Sequence, residues 1–78
     1  MTDLKETLYG IARAIVDNPD EVSVIENEDG KDVKLVLSVA ESDMGMVIGK
    51  GGKIAKAIRT VMKAAANTIK TKVTVEIK

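Results

Sequence analysis

Leu4, Leu8, Ile11, Ala12, Ile15 and Val16 recur at three- and four-residue spacing with polar residues between them, the period of a helix with one apolar face. Asp3 followed by Glu6 resembles a capping box and marks its start. Asn18-Pro19 marks its end, because proline disfavours helical geometry in the residue before it and has no N–H to donate. After a loop, Val22-Ser23-Val24-Ile25-Glu26 reads as a short strand. Val33, Leu35, Leu37 and Val39 then alternate with Lys34, Val36 and Ser38 in a stronger one. Between them, Asn27-Glu28-Asp29-Gly30-Lys31-Asp32 carries an Asp-Gly turn signal, which makes the pair an antiparallel hairpin.

Residues 41–48 predict a short helix with Ser42 or Asp43 available as its cap and Met44, Val47 and Ile48 as its apolar members. Three glycines in four positions follow, in Gly49-Lys50-Gly51-Gly52. Beyond them Ile54, Ala57, Ile58, Val61, Met62, Ala65 and Ile69 share one arc at about 100° per residue, while Lys53, Lys56, Arg59 and Lys63 occupy the opposite side. Val73, Val75 and Ile77 alternate with Lys72, Thr74, Glu76 and Lys78 as a last strand with one buried face. The order helix, strand, strand, helix, helix, strand can hide both apolar surfaces only if the helices cover one face of a small sheet. An α+β fold is expected. The hairpin makes the first two strands antiparallel, and the two-helix excursion is long enough to return the last strand parallel, so the three-stranded sheet is mixed.

With 78 residues there is room for one domain, 1–78, since a chain this short buries only ~60% of its unfolded surface. Cysteine and histidine are both absent, which removes a disulfide framework, the usual acid–base shuttle, the Cys-His nucleophile pair and most zinc sites. An enzyme is the least favoured class, and no metal or cofactor is implied. No apolar run approaches the roughly 20 residues that cross a bilayer, and the first residues lack a basic region followed by an apolar stretch, so a cytoplasmic location is expected. The formal net charge of zero conceals segregation: residues 1–49 hold 4 basic and 11 acidic side chains, residues 50–78 hold 8 and 1. Such a split can give one face that attracts a polyanion.

The glycine-rich stretch lies where one helix stops and the next begins. Glycine there permits positive φ and removes the Cβ that would hold a ligand off the backbone. The opening turn of a helix adds unpaired N–H groups and partial positive charge, and Lys50 and Lys53 add full charges, so the site suits a phosphate. Two known glycine motifs do not fit. A nucleoside-triphosphate loop needs four residues between its first glycine and Gly-Lys-Ser/Thr, but Gly45 is followed by three, and Gly51 stands where the hydroxyl would be. A dinucleotide fingerprint starting at Gly49 would need glycine at position 54, where Ile54 stands.

What remains is an aliphatic pair, Val47-Ile48, and a Gly-x-x-G turn between two helices, within the order αββααβ. In this the sequence resembles a KH domain of the type II arrangement over essentially its whole length. More narrowly, it is similar to the small bacterial proteins made of one KH domain, the KhpA family. The resemblance implies a single-stranded RNA-binding protein, a post-transcriptional regulator or RNA chaperone, that clamps the phosphate backbone of about four unpaired nucleotides. It also implies a homodimer, or a heterodimer with a larger KH-containing RNA-binding protein. Carried over by position, Gly49 and Gly52 are the turn glycines and Lys50 and Gly51 the pair that approaches phosphate. Ile48 and Ile54 flank the turn as an apolar floor for bases, with Lys53 and Lys56 near the backbone. Lys34, Val36 and Ser38 are candidates for an opposite wall.

Tyr9 is the only aromatic residue, so stacking platforms are unavailable and a lone copy is expected to bind modestly. Two rival functions stay open: a protein-interaction or dimerisation domain with minor RNA contact, favoured by the zero net charge, and a binder of single-stranded DNA.

Overall fold

The structure, a computed structural model, describes residues 3–30 and 32–78, except for the side chains at positions 3 and 50. The chain runs through α1 (Asp3–Ile15), a single 3-10 turn (Pro19–Glu21), β1 (Ser23–Asp29), β2 (Asp32–Ser38), α2 (Glu41–Thr68) and β3 (Lys72–Ile77). The capping box expected at Asp3 lies outside the described side chains. No helix among the described residues is long and apolar enough to cross a membrane.

Period-two alternation builds the sheet, in the order β1-β2-β3. β1 runs antiparallel to β2 and β3 parallel to it, as expected of a hairpin followed by a long return. On the inner face Val24 stands opposite Leu37 and Leu35 opposite Val75, all four buried. On the outer face Ile25 pairs with Val36, and Lys34 forms an ion pair with Glu76 at 3.2 Å. Leu4, Leu8, Ala12 and Val16 of the first helix and its exit join Val47, Ile58, Met62 and Ala66 of α2 in one core against the inner face. The result is the type II KH-like arrangement, an α+β fold with both helices on one side of a mixed sheet.

Several boundaries differ from the sequence pattern, each for a physical reason. β1 continues through Asn27, Glu28 and Asp29, and Asp29 comes opposite Asp32. Intrinsic strand preference is weak beside cross-strand pairing, and β2 is itself pinned on its other edge by β3. The connection carries Gly30 at φ +64°. α1 ends at Ile15, ahead of the Asn18-Pro19 stop, and Pro19 opens the 3-10 turn.

The early stop follows from Asp43, which does not cap α2: the residue at the cap position is Ala40, and no side chain caps it. Instead the Asp43 carboxylate, 2% exposed, accepts from the backbone N–H groups of Asp17 (3.2 Å) and Asn18 (3.1 Å) and from the Asn18 side-chain amide (3.1 Å). The same Asn18 amide donates to Ser42 Oγ at 3.1 Å. One buried acid thus ties the exit of α1 to the first turn of α2, where negative charge also suits the helix dipole.

The apolar arc of α2 is narrower than its residue types suggest. Ala55, Ile58, Met62 and Ala66 are buried and Ile54 and Ala65 half-buried, whereas Ala57, Val61 and Ile69 are exposed. Below the helix, Arg59 is not free either, since its Nε donates to the Val75 carbonyl at 3.3 Å and ties α2 to β3. The helix closes through Lys70 at φ +56°, with Lys70 N–H donating to Asn67 O at 3.1 Å and Thr71 N–H to Ala66 O at 2.9 Å, a left-handed closure usually given to glycine.

Candidate functional site

α2 runs from Glu41 to Thr68 without a gap, yet Gly51 and Gly52 have φ of +74° and +69°. Two consecutive left-handed residues cannot continue a right-handed helix. They divide α2 into a leading arm, 41–50, and a trailing arm, 53–68, so the two helices read from the sequence exist as two arms of one element. The space that a Cβ would fill at Gly49, Gly51 and Gly52 is open, which leaves the backbone of the turn approachable from outside. A helix that starts anew leaves the N–H groups of its first turn without intrahelical partners, the arrangement that receives anions at helix starts.

Beside the turn lies a pocket of about 370 Å³, lined by Gly45, Met46, Gly49, Lys53 and Ile54. Gly45 and Gly49 are four residues apart and therefore share one face of the leading arm. With no side chain at either, the helix backbone itself forms one wall, and Met46 and Ile54 supply apolar surface on both sides of it. Lys53, exposed at the start of the trailing arm, puts a charge at the rim. A flat wall of bare backbone with aliphatic flanks and a cation at the edge can take the face of a planar ring while its attached phosphate meets the turn.

The structure brings Gly49, Lys53 and Ile54 together around this pocket, with Gly51 and Gly52 forming the left-handed corner next to it. Ile48 is 45% exposed and does not line the pocket, since it projects about 100° around the helix from Gly49. Lys56 is exposed three residues beyond Lys53 on the same side of the trailing arm. The Lys50 side chain lies outside the described residues. Lys34, Val36 and Ser38 do not form an opposite wall: their register places them on the outer face of the sheet, away from both helices, and Lys34 is engaged with Glu76.

Gly45 and Met46 were not among the residues singled out for the site, although a glycine four positions before Gly49 is the signal that marks them. Among the described residues no group of three His, Cys, Asp or Glu side chains is placed to hold a metal ion.

Comparison with known proteins finds a matching family model and several similar chains. A family model described as KhpA/KhpB, KH domain, matches residues 5–77. A protein of Clostridium acetobutylicum named RNA-binding protein KhpA is 54% identical over 74 residues, covering 95% of this chain and 99% of its own. Proteins of the same name from Caldanaerobacter subterraneus and Bacillus subtilis are 53% and 46% identical, over 92% and 99% of this chain and 96% and 98% of theirs.

Proposed function

We propose, starting from the membership of this chain in the KhpA/KhpB KH-domain family, that it binds single-stranded RNA through the turn at residues 49–52. The relatives bear the name of an RNA-binding protein and not that of an enzyme. The observation that carries the mechanism is the left-handed pair Gly51 and Gly52 set directly beside the Gly45, Met46, Gly49, Lys53 and Ile54 pocket. The backbone of the turn and Lys50 and Lys53 hold phosphate, while a base lies on the Cβ-free wall between Met46 and Ile54. Gly45 and Met46 therefore join Ile48, Gly49, Lys50, Gly51, Gly52, Lys53, Ile54 and Lys56 in the binding surface. Because the pocket presents aliphatic surface and few polar groups, base identity is weakly read, and the protein acts on many unpaired segments as a regulator or chaperone of RNA. The expected location is the cytoplasm, where such RNA is found.

The test is a fluorescence-anisotropy titration of a labelled mixed-sequence RNA strand, of the same strand as a duplex, and of its DNA counterpart, at low and moderate salt. The expected result is salt-sensitive binding that favours the single strand, with log affinity falling by about 0.7 per phosphate contact for each tenfold rise in salt. Absence of binding by the wild-type chain to any RNA strand overturns the reading. Equal binding of the DNA strand removes the preference for RNA but leaves the clamp in place.

A second reading, assembly, is favoured by a separate apolar groove of about 320 Å³ between α1 and the trailing arm of α2. It is lined by Ile11, Ile15, Ile54, Ala57, Ile58 and Val61 and has no polar lining. Val61 is 48% exposed there, and the small Ala57 beside it lets another helix approach closely. This groove fits a second copy of the chain, with a larger KH-containing RNA-binding protein as the competing occupant. Since Ile54 belongs to both the groove and the RNA pocket, pairing would set two clamps near one another and raise avidity. Val61→Asp is expected to shift sedimentation velocity from dimer to monomer with an unchanged circular-dichroism spectrum; a wild type that sediments as a monomer at all concentrations rules out self-pairing.

A further inference from the structure

Resting on the RNA-binding reading, we infer that the strand does not stop at the turn but continues along one face of the trailing arm of α2, into a second pocket between the end of that helix and β3. Lys53, Lys56, Thr60, Lys63 and Asn67 follow one another at three- and four-residue spacing and fall within about 80° of the helix surface at 100° per residue. All five are exposed. The two ends of this stripe open into pockets: Lys53 lines the one beside the glycine turn, and Lys63 and Asn67 line another of about 460 Å³ together with Thr71, Lys72 and Thr74. From position 53 to position 67 the helix rises about 21 Å at 1.5 Å per residue, the span of several further nucleotides.

An ordinary solvated helix face also carries charge, but two features set this one apart. Its charges are all of one sign. The trailing arm, 53–68, contains no aspartate or glutamate, so the acid–base pairs that usually stabilise an exposed helical face are missing, and Lys53 and Lys56 repel at three-residue spacing. Lys53, Lys56, Lys63 and Lys72 form no ion pair among the described residues. Second, Lys53 and Lys56 stand in the first turns of the arm, the positive end of the helix dipole, where cations are unfavourable. Charges kept against both local effects are accounted for by a polyanion that lies along them. The far pocket suits its continuation: two lysines for phosphate, and Asn67, Thr71 and Thr74 as neutral donors and acceptors for ribose or base edges. Arg59 lies about 40° outside this stripe at 100° per residue, with its Nε turned to the Val75 carbonyl.

The experiment compares labelled single-stranded RNAs of about five and about twelve nucleotides, the shorter matched to the four-nucleotide grip of a glycine clamp. They are titrated against the wild-type chain and against the Lys63→Gln, Lys72→Gln variant, both checked for an unchanged melting profile. The expected result is that the wild type prefers the longer strand by at least about tenfold beyond the gain from added binding registers. The variant should lose that preference, retain its affinity for the short strand, and lower the salt slope on the long one by about 1.4, at 0.7 per lost phosphate contact. Equal wild-type affinity for both lengths after the register correction overturns the track while the clamp stands, as does a variant that binds the long strand normally or weakens both strands alike. Failure of the wild type to bind either strand overturns the clamp and the track together.

Discussion

Replacing Lys50 and Gly51 by two aspartates is expected to weaken RNA binding by at least about a hundredfold while the chain stays folded, because like charge set against phosphate opposes association by several kcal/mol. The exchange turns one positive charge into two negative ones at the corner where backbone N–H groups gather. Aspartate is a suitable replacement for conformational reasons as well. Gly51 sits at φ +74°, and aspartate and asparagine are the non-glycine residues that most readily enter the left-handed region. The space beside Gly51 is open, so a Cβ added there meets nothing within 4 Å. The left-handed conformation costs about 1–2 kcal/mol at most, which a thermal melt reads as a modest shift. Anisotropy titration of the variant beside the wild type checks the loss. Normal RNA binding by a folded variant means that the clamp lies elsewhere.

Asp43→Ala is expected to be the most damaging single change to the fold, destabilising it by about 3 kcal/mol in urea unfolding. Three hydrogen bonds to one buried carboxylate disappear, and the partly buried N–H groups of Asp17 and Asn18 lose their acceptor; a buried donor without an acceptor costs about 1–3 kcal/mol. For a chain of this size total stability is about 4–12 kcal/mol, so much of the margin goes. Asp43→Asn discriminates the cause: it keeps the volume and one acceptor but turns an amide NH₂ toward a backbone donor, so it should recover less than half of the loss. If alanine is tolerated within about 0.5 kcal/mol, the carboxylate is not the tie between α1 and α2 that the geometry describes.

What the sequence made legible divides by the range of the interaction responsible. Val33, Leu35 and Leu37 declared their strand because period two is a property of neighbours along the chain, and the glycine turn declared itself because positive φ is a single-residue demand. The direction of each strand is legible in the Asp-Gly turn signal of the hairpin and in the length of the two-helix excursion before the last strand. Ser42 and Asp43 both offer themselves as local caps, whereas the partners of Asp43 lie 25 and 26 residues away and no local pattern carries that information. β1 was cut short at Glu26 because Asn27, Glu28 and Asp29 are poor strand formers in isolation, while their pairing with Lys34, Val33 and Asp32 decides the matter. Within the site, the glycines and Lys53 could be read from the turn. Gly45 and Met46 belong to the helix before the turn, and the four-residue spacing of Gly45 and Gly49 is the one sign of that wall in the sequence.

The parallel return of β3 bears on how the chain reaches this state. Asp29 and Asp32 meet across a loop of two residues, whereas Leu35 meets Val75 only after the whole of α2 has been traversed. Loop-closure entropy grows with the logarithm of the segment enclosed, so the hairpin can close early and β3 docks against a larger entropic barrier. What offsets that barrier is the burial of Val75 and the partial burial of Val73 and Ile77, with the Arg59 tie to Val75 added. The trailing arm is pressed against the sheet by the same contacts. The arm that carries one side of the binding surface is therefore held to the sheet by the strand whose pairing encloses the longest stretch of chain.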